Sequence, residues 1–380
     1  MKKVISLVFN NFKNDSRVLK ECTTLTENGY DVSVYALHED GLKEQETISA
    51  IKVKRIKLKT KKLSKSLFMQ IIKYLELAYK IIKMSKGKVD IIHCNDIMPL
   101  PIAVIVKKLS SGNVKIVYDA HEFQTETQKL VGKKLRKKLT FWTERFFIRS
   151  VDQVLTVSEG IAEEYQKRYN IPKPKLVLNC PAYNVIKKED KFRELYDIDP
   201  HQVIFLYQGA LTPGRGIEKL IDAFEERNNN DSVLIFMGYG QLEAKVKAAA
   251  EKNENIFYKE AVAPHEVLSY TTSADIGISL IENSCLNYYY CLPNKLFEYA
   301  MVGLPVLVSN LPEMKEIVSK NQNGIVVKEN TVTAFKQGLD DIMKQDRNEM
   351  ANNSLNLAKT FNWQNQEETL LQVYRQLSHG

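Results

Sequence analysis

Apolar residues along this chain fall into two kinds of run. Short β-branched runs at Val4–Phe9, Val32–Ala36, Ile91–His93, Lys115–Tyr118 and Gln153–Val157 have the length expected of strands buried on both faces. Between them stand longer segments of helical period, Ser16–Glu27, Ser66–Met84 and Lys137–Arg149. Such alternation predicts a parallel sheet covered by helices on both sides. The rhythm breaks at Pro172, Pro174 and Pro181, followed by the polar run Lys187-Lys188-Glu189-Asp190. It restarts with strands expected at Val203–Gln208, Ser232–Met237, Ile256–Tyr258, Asp275–Ser279, Val306–Val308 and Gly324–Val327. The helices expected among them are Gly216–Glu226, Gln241–Ala250, Pro264–Thr272 and Asn294–Met301. The pattern therefore predicts an α/β protein of two doubly wound, Rossmann-like domains, with the joint near residues 180–195.

Length and composition agree with that picture. The chain has 380 residues, 44% hydrophobic and 26% charged, which suits two ordinary cores and excludes a fibrous or globally disordered chain. No apolar run approaches the roughly 18 residues of a spanning helix. The N-terminal Met1–Phe9 run is short and leads into Asn10-Asn11-Phe12-Lys13-Asn14-Asp15, so a buried first strand is expected there rather than a leader. Five scattered cysteines without a CxxC pair fit a reducing cytoplasm, and neither a disulfide framework nor a zinc site.

Charge separates the two halves. Through residue 190 there are 36 Lys and Arg against 21 Asp and Glu, a net +15, while the remainder has 18 against 25, a net −7. Much of the excess lies in Lys52-Val53-Lys54-Arg55-Ile56-Lys57-Leu58-Lys59 with Lys61, Lys62 and Lys65, and in Lys133-Lys134-Leu135-Arg136-Lys137-Lys138 ahead of Phe141-Trp142 and Phe146-Phe147. A basic helix carrying aromatics suits the inner face of an anionic membrane, and equally a solvated charged face over a core. No nucleic-acid-binding module accompanies the charge, so nucleic acid is not expected as a partner.

In open α/β sheets ligands bind beyond the carboxyl ends of strands. The loop after the strand ending at Gln208 reads Gly209-Ala210-Leu211-Thr212-Pro213-Gly214-Arg215-Gly216. Its glycines admit close backbone approach, and Arg215 offers a forked cation at the start of a helix, the chemistry of a diphosphate site. After the strand Asp275–Leu280 comes Pro293-Asn294-Lys295-Leu296-Phe297-Glu298-Tyr299. Pro293 suits a helix start, the amides of Asn294, Lys295, Leu296 and Phe297 would face an anion, and Glu298 suits the paired hydroxyls of a ribose. In the first half, His121 within Asp119-Ala120-His121-Glu122 and His93 within Ile92-His93-Cys94 each end a strand, where an imidazole serves a sugar hydroxyl or a proton transfer. Asp15, Ser16 and Arg17 follow the first strand. Asp15 or Ser16 suits an N-cap, and Arg17 suits an acceptor or donor phosphate.

These segments, with Val157-Ser158-Glu159-Gly160, Met237-Gly238-Tyr239-Gly240 and Gly303-Leu304-Pro305, resemble the GT-B glycosyltransferases, in particular the retaining enzymes of family four, along nearly the whole chain. The resemblance implies two Rossmann-like domains facing across a cleft. Residues 1–185 would bind the acceptor, residues 186–362 the nucleotide sugar, and a final helix over 363–378 would return to the first domain. It implies that Gly209, Gly214, Arg215, Gly238, Glu282, Asn294, Lys295, Leu296, Phe297 and Glu298 serve the donor, Arg215 on the diphosphate and Glu298 on the ribose. His121 would stand beside the donor sugar with Glu122 at the reaction centre, and Arg17 and His93 would serve the acceptor. The expected activity is transfer from a UDP- or GDP-type sugar to a glycan or lipid-linked acceptor in cell-surface polysaccharide synthesis, with retention, at the cytoplasmic side. No other cofactor is expected, and no Asp-x-Asp after a strand argues for a metal.

Three positions depart from the family. Ala210 stands where an Arg often follows the first glycine, and Tyr290 stands where the first acid of the E-x7-E motif belongs. Glu282, 16 residues before Glu298, supplies that carboxylate only where the intervening loop folds back. A nucleotide-sugar 2-epimerase of the same fold and an inactive partner subunit are the rival readings. A nicotinamide oxidoreductase is disfavoured because neither half opens with G-x-G-x-x-G.

Overall fold

The computed structural model describes residues 1–64, 66–227 and 230–379, so Lys65 of the basic run lies outside the described residues. The chain forms two compact units. One comprises Met1–Val157, Ile161–Val177 and the chain from Glu367 onward, the other Ser158–Gly160 and Leu178–Gln366.

In the first unit the strands β1 (Lys3–Leu7), β2 (Asp31–Leu37), β3 (Gln45–Ile48), β4 (Ile51–Ile56), β5 (Ile91–Asn95), β6 (Lys115–Ala120), β7 (Gln153–Thr156) and β8 (Lys175–Leu176) form one sheet of order β3-β4-β2-β1-β5-β6-β7-β8. All pairings are parallel except the edge hairpin β3–β4. That hairpin occupies much of the first basic run. Ile51, Val53 and Arg55 are buried while Lys52 is exposed and Lys54 half-buried, so period-two alternation, masked by the density of basic residues, was the signal there. The helices are α1 (Ser16–Glu27), α2 (Leu67–Ser85), α3 (Leu100–Leu109), α4 (Lys134–Phe147) and α5 (Glu159–Tyr169). Asp15 caps α1, its carboxylate accepting the Val18 N–H at 3.2 Å. The C-terminal helix Trp363–His379 buries Leu370, Leu371, Val373 and Tyr374, and Thr24 of α1 donates to Glu367 at 2.8 Å.

The second unit is a six-stranded, wholly parallel sheet. Its strands β9 (Val203–Gln208), β10 (Ser232–Met237), β11 (Ile256–Lys259), β12 (Ile276–Ser279), β13 (Val306–Ser309) and β14 (Gly324–Val327) lie in the order β11-β10-β9-β12-β13-β14. Strand β9 is buried along its whole length and feeds both cores. Val203, Phe205 and Tyr207 join one with Phe224 and Phe236, while Ile204 and Leu206 join the other with Tyr299 and Val308. This two-sided burial is why the parallel strands read as continuous apolar runs. Strand order reverses between β9 and β12, so the crevice for a ligand opens beyond those two carboxyl ends. In the first unit the same reversal lies between β1 and β5. Among the described residues no helix is long and apolar enough to cross a membrane.

The carboxyl ends of β9 and β10 meet at two glycines. The Gly209 N–H donates to Met237 O at 2.9 Å, and a Cβ added at Gly238 would stand 1.9 Å from the Gly209 carbonyl oxygen. Gly238→Ala is expected to lose about 2–3 kcal/mol, the cost of forcing one carbon into a packed site, read as a lower urea midpoint with an unchanged slope.

Candidate functional site

Beyond β9 the chain turns through Gly209, Gly214 and Gly216, all at positive φ (111°, 81° and 70°), where side chains are disfavoured. A Cβ at Gly216 would lie 2.1 Å from Leu280 O, and the Glu282 N–H donates to Gly214 O at 2.9 Å. The loop after β9 is thereby pressed against the segment after β12. That segment continues into a short helix, Leu286–Tyr289, which no sequence signal marked, and then into the helix Asn294–Met301.

Two cations meet here. Lys295 is buried, with its ammonium 3.6 Å from the centre of the Tyr207 ring and close beneath Gly209. Burial and, next, the charge of Arg215 hold its pKa well below the ordinary lysine range. Arg215 lies with its guanidinium 5.6 Å from the Tyr288 ring centre, and its Nε is buried without a hydrogen-bond partner among the described residues. Glu298 is the carboxylate that opposes Lys295, and it accepts a hydrogen bond from the Gln208 side-chain amide, which in turn accepts from Thr271 at 2.8 Å. Gln208 was not singled out from sequence. Its place as the last residue of β9, beside the glycine turn, was the available signal.

The first unit holds a second cluster beyond β1, β5 and β6. Asp119 is fully buried and grips the Arg17 guanidinium in a two-pronged pair, Nε–Oδ2 at 2.9 Å and Nη2–Oδ1 at 2.8 Å. Two residues on, the His121 ring nitrogen Nε2 stands 2.8 Å from Asp119 Oδ2, and the His121 N–H donates to Asp96 at 3.2 Å. Burial opposes a charged imidazole, but the Asp119 carboxylate outweighs it and raises the His121 pKa to about 9. Glu21, one helical turn after Arg17, is pushed up to about 7 by burial and then by Asp119. Its carboxylate lies 3.1 Å from Arg17 Nε and 3.5 Å from His93 Nε2, and His93 Nδ1 is 2.8 Å from the Tyr374 hydroxyl. Glu21, His93 and Asp119 bring ligand atoms within 4.8 Å of one another, the spacing of a metal site. The Arg17 guanidinium already supplies the cation that both carboxylates face, so the cluster is balanced by the chain itself.

Residues 188–357 match the family model for glycosyl transferases group 1, and residues 16–184 match that for glycosyltransferase family 4. The chain belongs to the group 1 glycosyltransferases. It is 24% identical to a glycosyltransferase of Methanocaldococcus jannaschii over 92% of this chain and 91% of that one. It is also 23% identical to the chitobiosyldiphosphodolichol beta-mannosyltransferase of Debaryomyces hansenii, over 60% of this chain and 54% of that protein. Its fold is that of Anabaena HepE, solved in complex with UDP-glucose, with a TM-score of 0.76, 14% identity and coverage of 99% and 100%. The GT-B architecture expected from sequence is present, as two parallel-sheet units.

Against the expectations for this glycosyltransferase, the structure brings Gly209, Gly214, Arg215, Lys295 and Glu298 to one end of the second sheet. Other expected donor residues take different places. Leu296 and Phe297 turn their side chains into the core, Phe297 stacking on Phe361, and the Leu296 N–H is taken by Pro293 O at 3.0 Å. Asn294, the first residue of this helix, is exposed, while Lys295 is buried. Gly238 is a packing contact under Gly209. Glu282 pairs with Lys219 at 3.0 Å beside the Gly214 turn, so its carboxylate is already neutralised there.

In the first unit, Arg17 and His93 require correction. Arg17 spends its donors on Asp119 and on Val177 O at 2.7 Å, and both residues are almost wholly buried, so neither presents itself to an acceptor. Glu122 is exposed next to His121.

The His121 shift has a pH signature. A proton bound near pH 9 in the fold is bound near 6.5 in the unfolded chain. Its stabilisation is therefore complete below about pH 6.5 and lost as pH rises through 9. Imidazole NMR signals of His121 are expected to titrate with a midpoint near 9. A midpoint at the ordinary value would show that Asp119 does not hold this proton.

Proposed function

We propose that this protein transfers a hexose from a UDP- or GDP-type sugar to a glycan or lipid-linked acceptor in cell-surface polysaccharide synthesis. Transfer proceeds with retention and without a metal or further cofactor, at the cytoplasmic side of a membrane contacted by the basic first unit. The observation that carries this reading is the meeting of Arg215 with the buried Lys295, the latter opposed by the carboxylate of Glu298. A diphosphate supplies the missing negative charge. Relatives support the substrate classes: HepE was solved with UDP-glucose, and the Debaryomyces hansenii protein is named for mannosyl transfer to a diphosphodolichol-linked sugar.

Breaking the anomeric bond moves negative charge onto the leaving diphosphate. Fixed cations and peptide N–H groups aimed at that position stabilise it without reorganising, usually the largest catalytic contribution. Arg215, Lys295 and the amides opening the helix Asn294–Met301 take this role, and Glu298, steadied by Gln208, takes the ribose hydroxyls. The imidazolium of His121, held cationic by Asp119, is assigned to a hydroxyl of the transferring sugar. The oxygen of the departing diphosphate takes the acceptor proton on the face it leaves, and the acceptor enters on that same face. The anomer of the product, read by NMR, tests retention.

Thermal-shift and calorimetric titrations with UDP, GDP, CDP and ADP sugars test the site. Arg215→Ala and Glu298→Ala are each expected to weaken donor binding by about 1–3 kcal/mol, the range for losing a charge-assisted hydrogen bond. Unchanged affinity in both variants would show that the donor binds elsewhere, and conversion of donor to its epimer without acceptor would favour the 2-epimerase reading. Lys295 adds a second signature. Because burial and the charge of Arg215 hold its pKa well below the ordinary lysine range without ligand, an arriving diphosphate favours its charged form, so donor binding is expected to be accompanied by proton uptake. Calorimetry in buffers of different ionisation enthalpy measures that uptake, and Lys295→Met should abolish it.

A further inference from the structure

Helix α4 is turned inside out. Its inward residue is Glu144, fully buried, whose carboxylate accepts hydrogen bonds from the hydroxyls of Tyr118, Tyr165 and Tyr169. Its outward residues are Leu135, Leu139, Trp142 and Phe146, which are 82%, 66%, 54% and 66% exposed. Their spacing of four, three and four places them within an arc of about 60° at 100° per residue, with Glu144 diametrically opposite. On the same wheel Lys134, Lys138 and Arg145 flank one side of the stripe and Arg136 the other. Glu144 is the sole acid on the helix, so its outer rim is entirely basic. Isolated exposed apolar residues are ordinary, but a continuous stripe of four large ones marks a contact surface.

A second helix repeats the arrangement. On α2, Phe68, Ile71, Leu75 and Tyr79 are 66%, 51%, 60% and 65% exposed, at the same three- and four-residue spacing. The crossovers β4-α2-β5, β5-α3-β6 and β6-α4-β7 all advance in one direction along the sheet, so right-handed connections put the three helices on one face. Helix α3 packs against both α2 and α4. Lys61 and Lys62, both exposed, precede α2, and Lys83 is exposed on its last turn.

From this placement we propose that the outer face of α2 and α4 docks on an anionic lipid bilayer, with Leu139, Trp142, Phe146, Phe68, Ile71 and Leu75 sunk to the level of the headgroups. Apolar side chains rimmed by Lys and Arg match the two layers of such a surface, acyl boundary and anionic headgroup. The basic rim of α4 also selects against a second copy of this chain, because docking α4 on its like would bring lysines and arginines together; the acids beside α2, Glu76 and Asp40, are taken by Lys80 and Lys61. The inference rests on the reading of a lipid-linked acceptor for its purpose, while vesicle binding itself needs no donor.

The chain carries its own reporter. Of its two tryptophans, Trp142 lies in the stripe and Trp363 is buried. Vesicles of phosphatidylglycerol with phosphatidylcholine are expected to retain the protein in co-sedimentation and to shift its fluorescence to shorter wavelength, whereas phosphatidylcholine alone should do neither. Leu139→Glu combined with Phe146→Glu should weaken partitioning by at least about tenfold, given the apolar burial lost, while its thermal shift with nucleotide sugars stays that of the parent chain. Four results would overturn the proposal: no retention by anionic vesicles, retention without a fluorescence shift that disappears by about 0.5 M salt, retention unaffected by the double variant, or self-association through the stripe with no vesicle binding. Loss of nucleotide-sugar response in the parent chain, with vesicle binding intact, would sink the donor reading and leave this surface standing.

Discussion

Lys295 and Arg215 are held at one end of a parallel sheet where their mutual repulsion is only partly relieved by Glu298. Everything around them serves to keep them there. The positive-φ glycines fold the β9 loop onto the segment after β12, and the Tyr207 ring lies against the Lys295 ammonium. Tyr299, which shares the Asn294–Met301 helix, donates its hydroxyl to Leu206 O at 2.9 Å, so that helix is bolted to β9 itself. These contacts keep the Lys295 side chain buried beside Arg215. In the proposed reaction, the arriving diphosphate offsets the repulsion between the two.

The first unit solves a different electrostatic problem. Asp119 is fully buried yet ionised, held well below the usual carboxylate range by Arg17 and His121 against the opposing effect of burial. Arg17 comes from α1, Asp119 from β6 and the Val177 carbonyl from beyond β8, so a single guanidinium ties three parts of the sheet. Breaking one member would leave an uncompensated buried charge, a far larger penalty than loss of an exposed pair. The same carboxylate that anchors Arg17 also fixes the charge on His121. Stability of this unit and the protonation of its half-buried imidazole are thus set by one residue.

The strands of the second sheet, the central strands of the first and the helices that open after glycine turns were legible because buried parallel strands and helical period leave strong, local patterns. Arg215 stood out as a charged residue between two glycines after a strand, and Lys295 and Glu298 as charged residues in the opening of a helix that follows Pro293. What sequence could not deliver was direction. Leu296 and Phe297 sit in the same motif as Lys295, and only the helix orientation decides that they face the core. Arg17 looked available because its partner, Asp119, lies 102 residues away. The β3–β4 hairpin hid beneath its lysines, and the lysine-rich stretch entering α4 disguised that this helix points its aromatics outward. Tyr374 gave no sign of any tie to His93, since nothing in a lone tyrosine of an amphipathic helix names its partner.

That tie has a consequence for biogenesis. The residues from Glu367 onward complete the first unit, yet a ribosome delivers them after the whole second unit has emerged. Until then the first sheet waits with His93 lacking its tyrosine and with the surface around Leu370 and Val373 uncovered. The nascent first unit must therefore persist as an incomplete body throughout synthesis of the second, and it closes only after the second unit has been made. The cluster of Arg215, Lys295 and Glu298, which lies wholly in the second unit, does not have to wait for it.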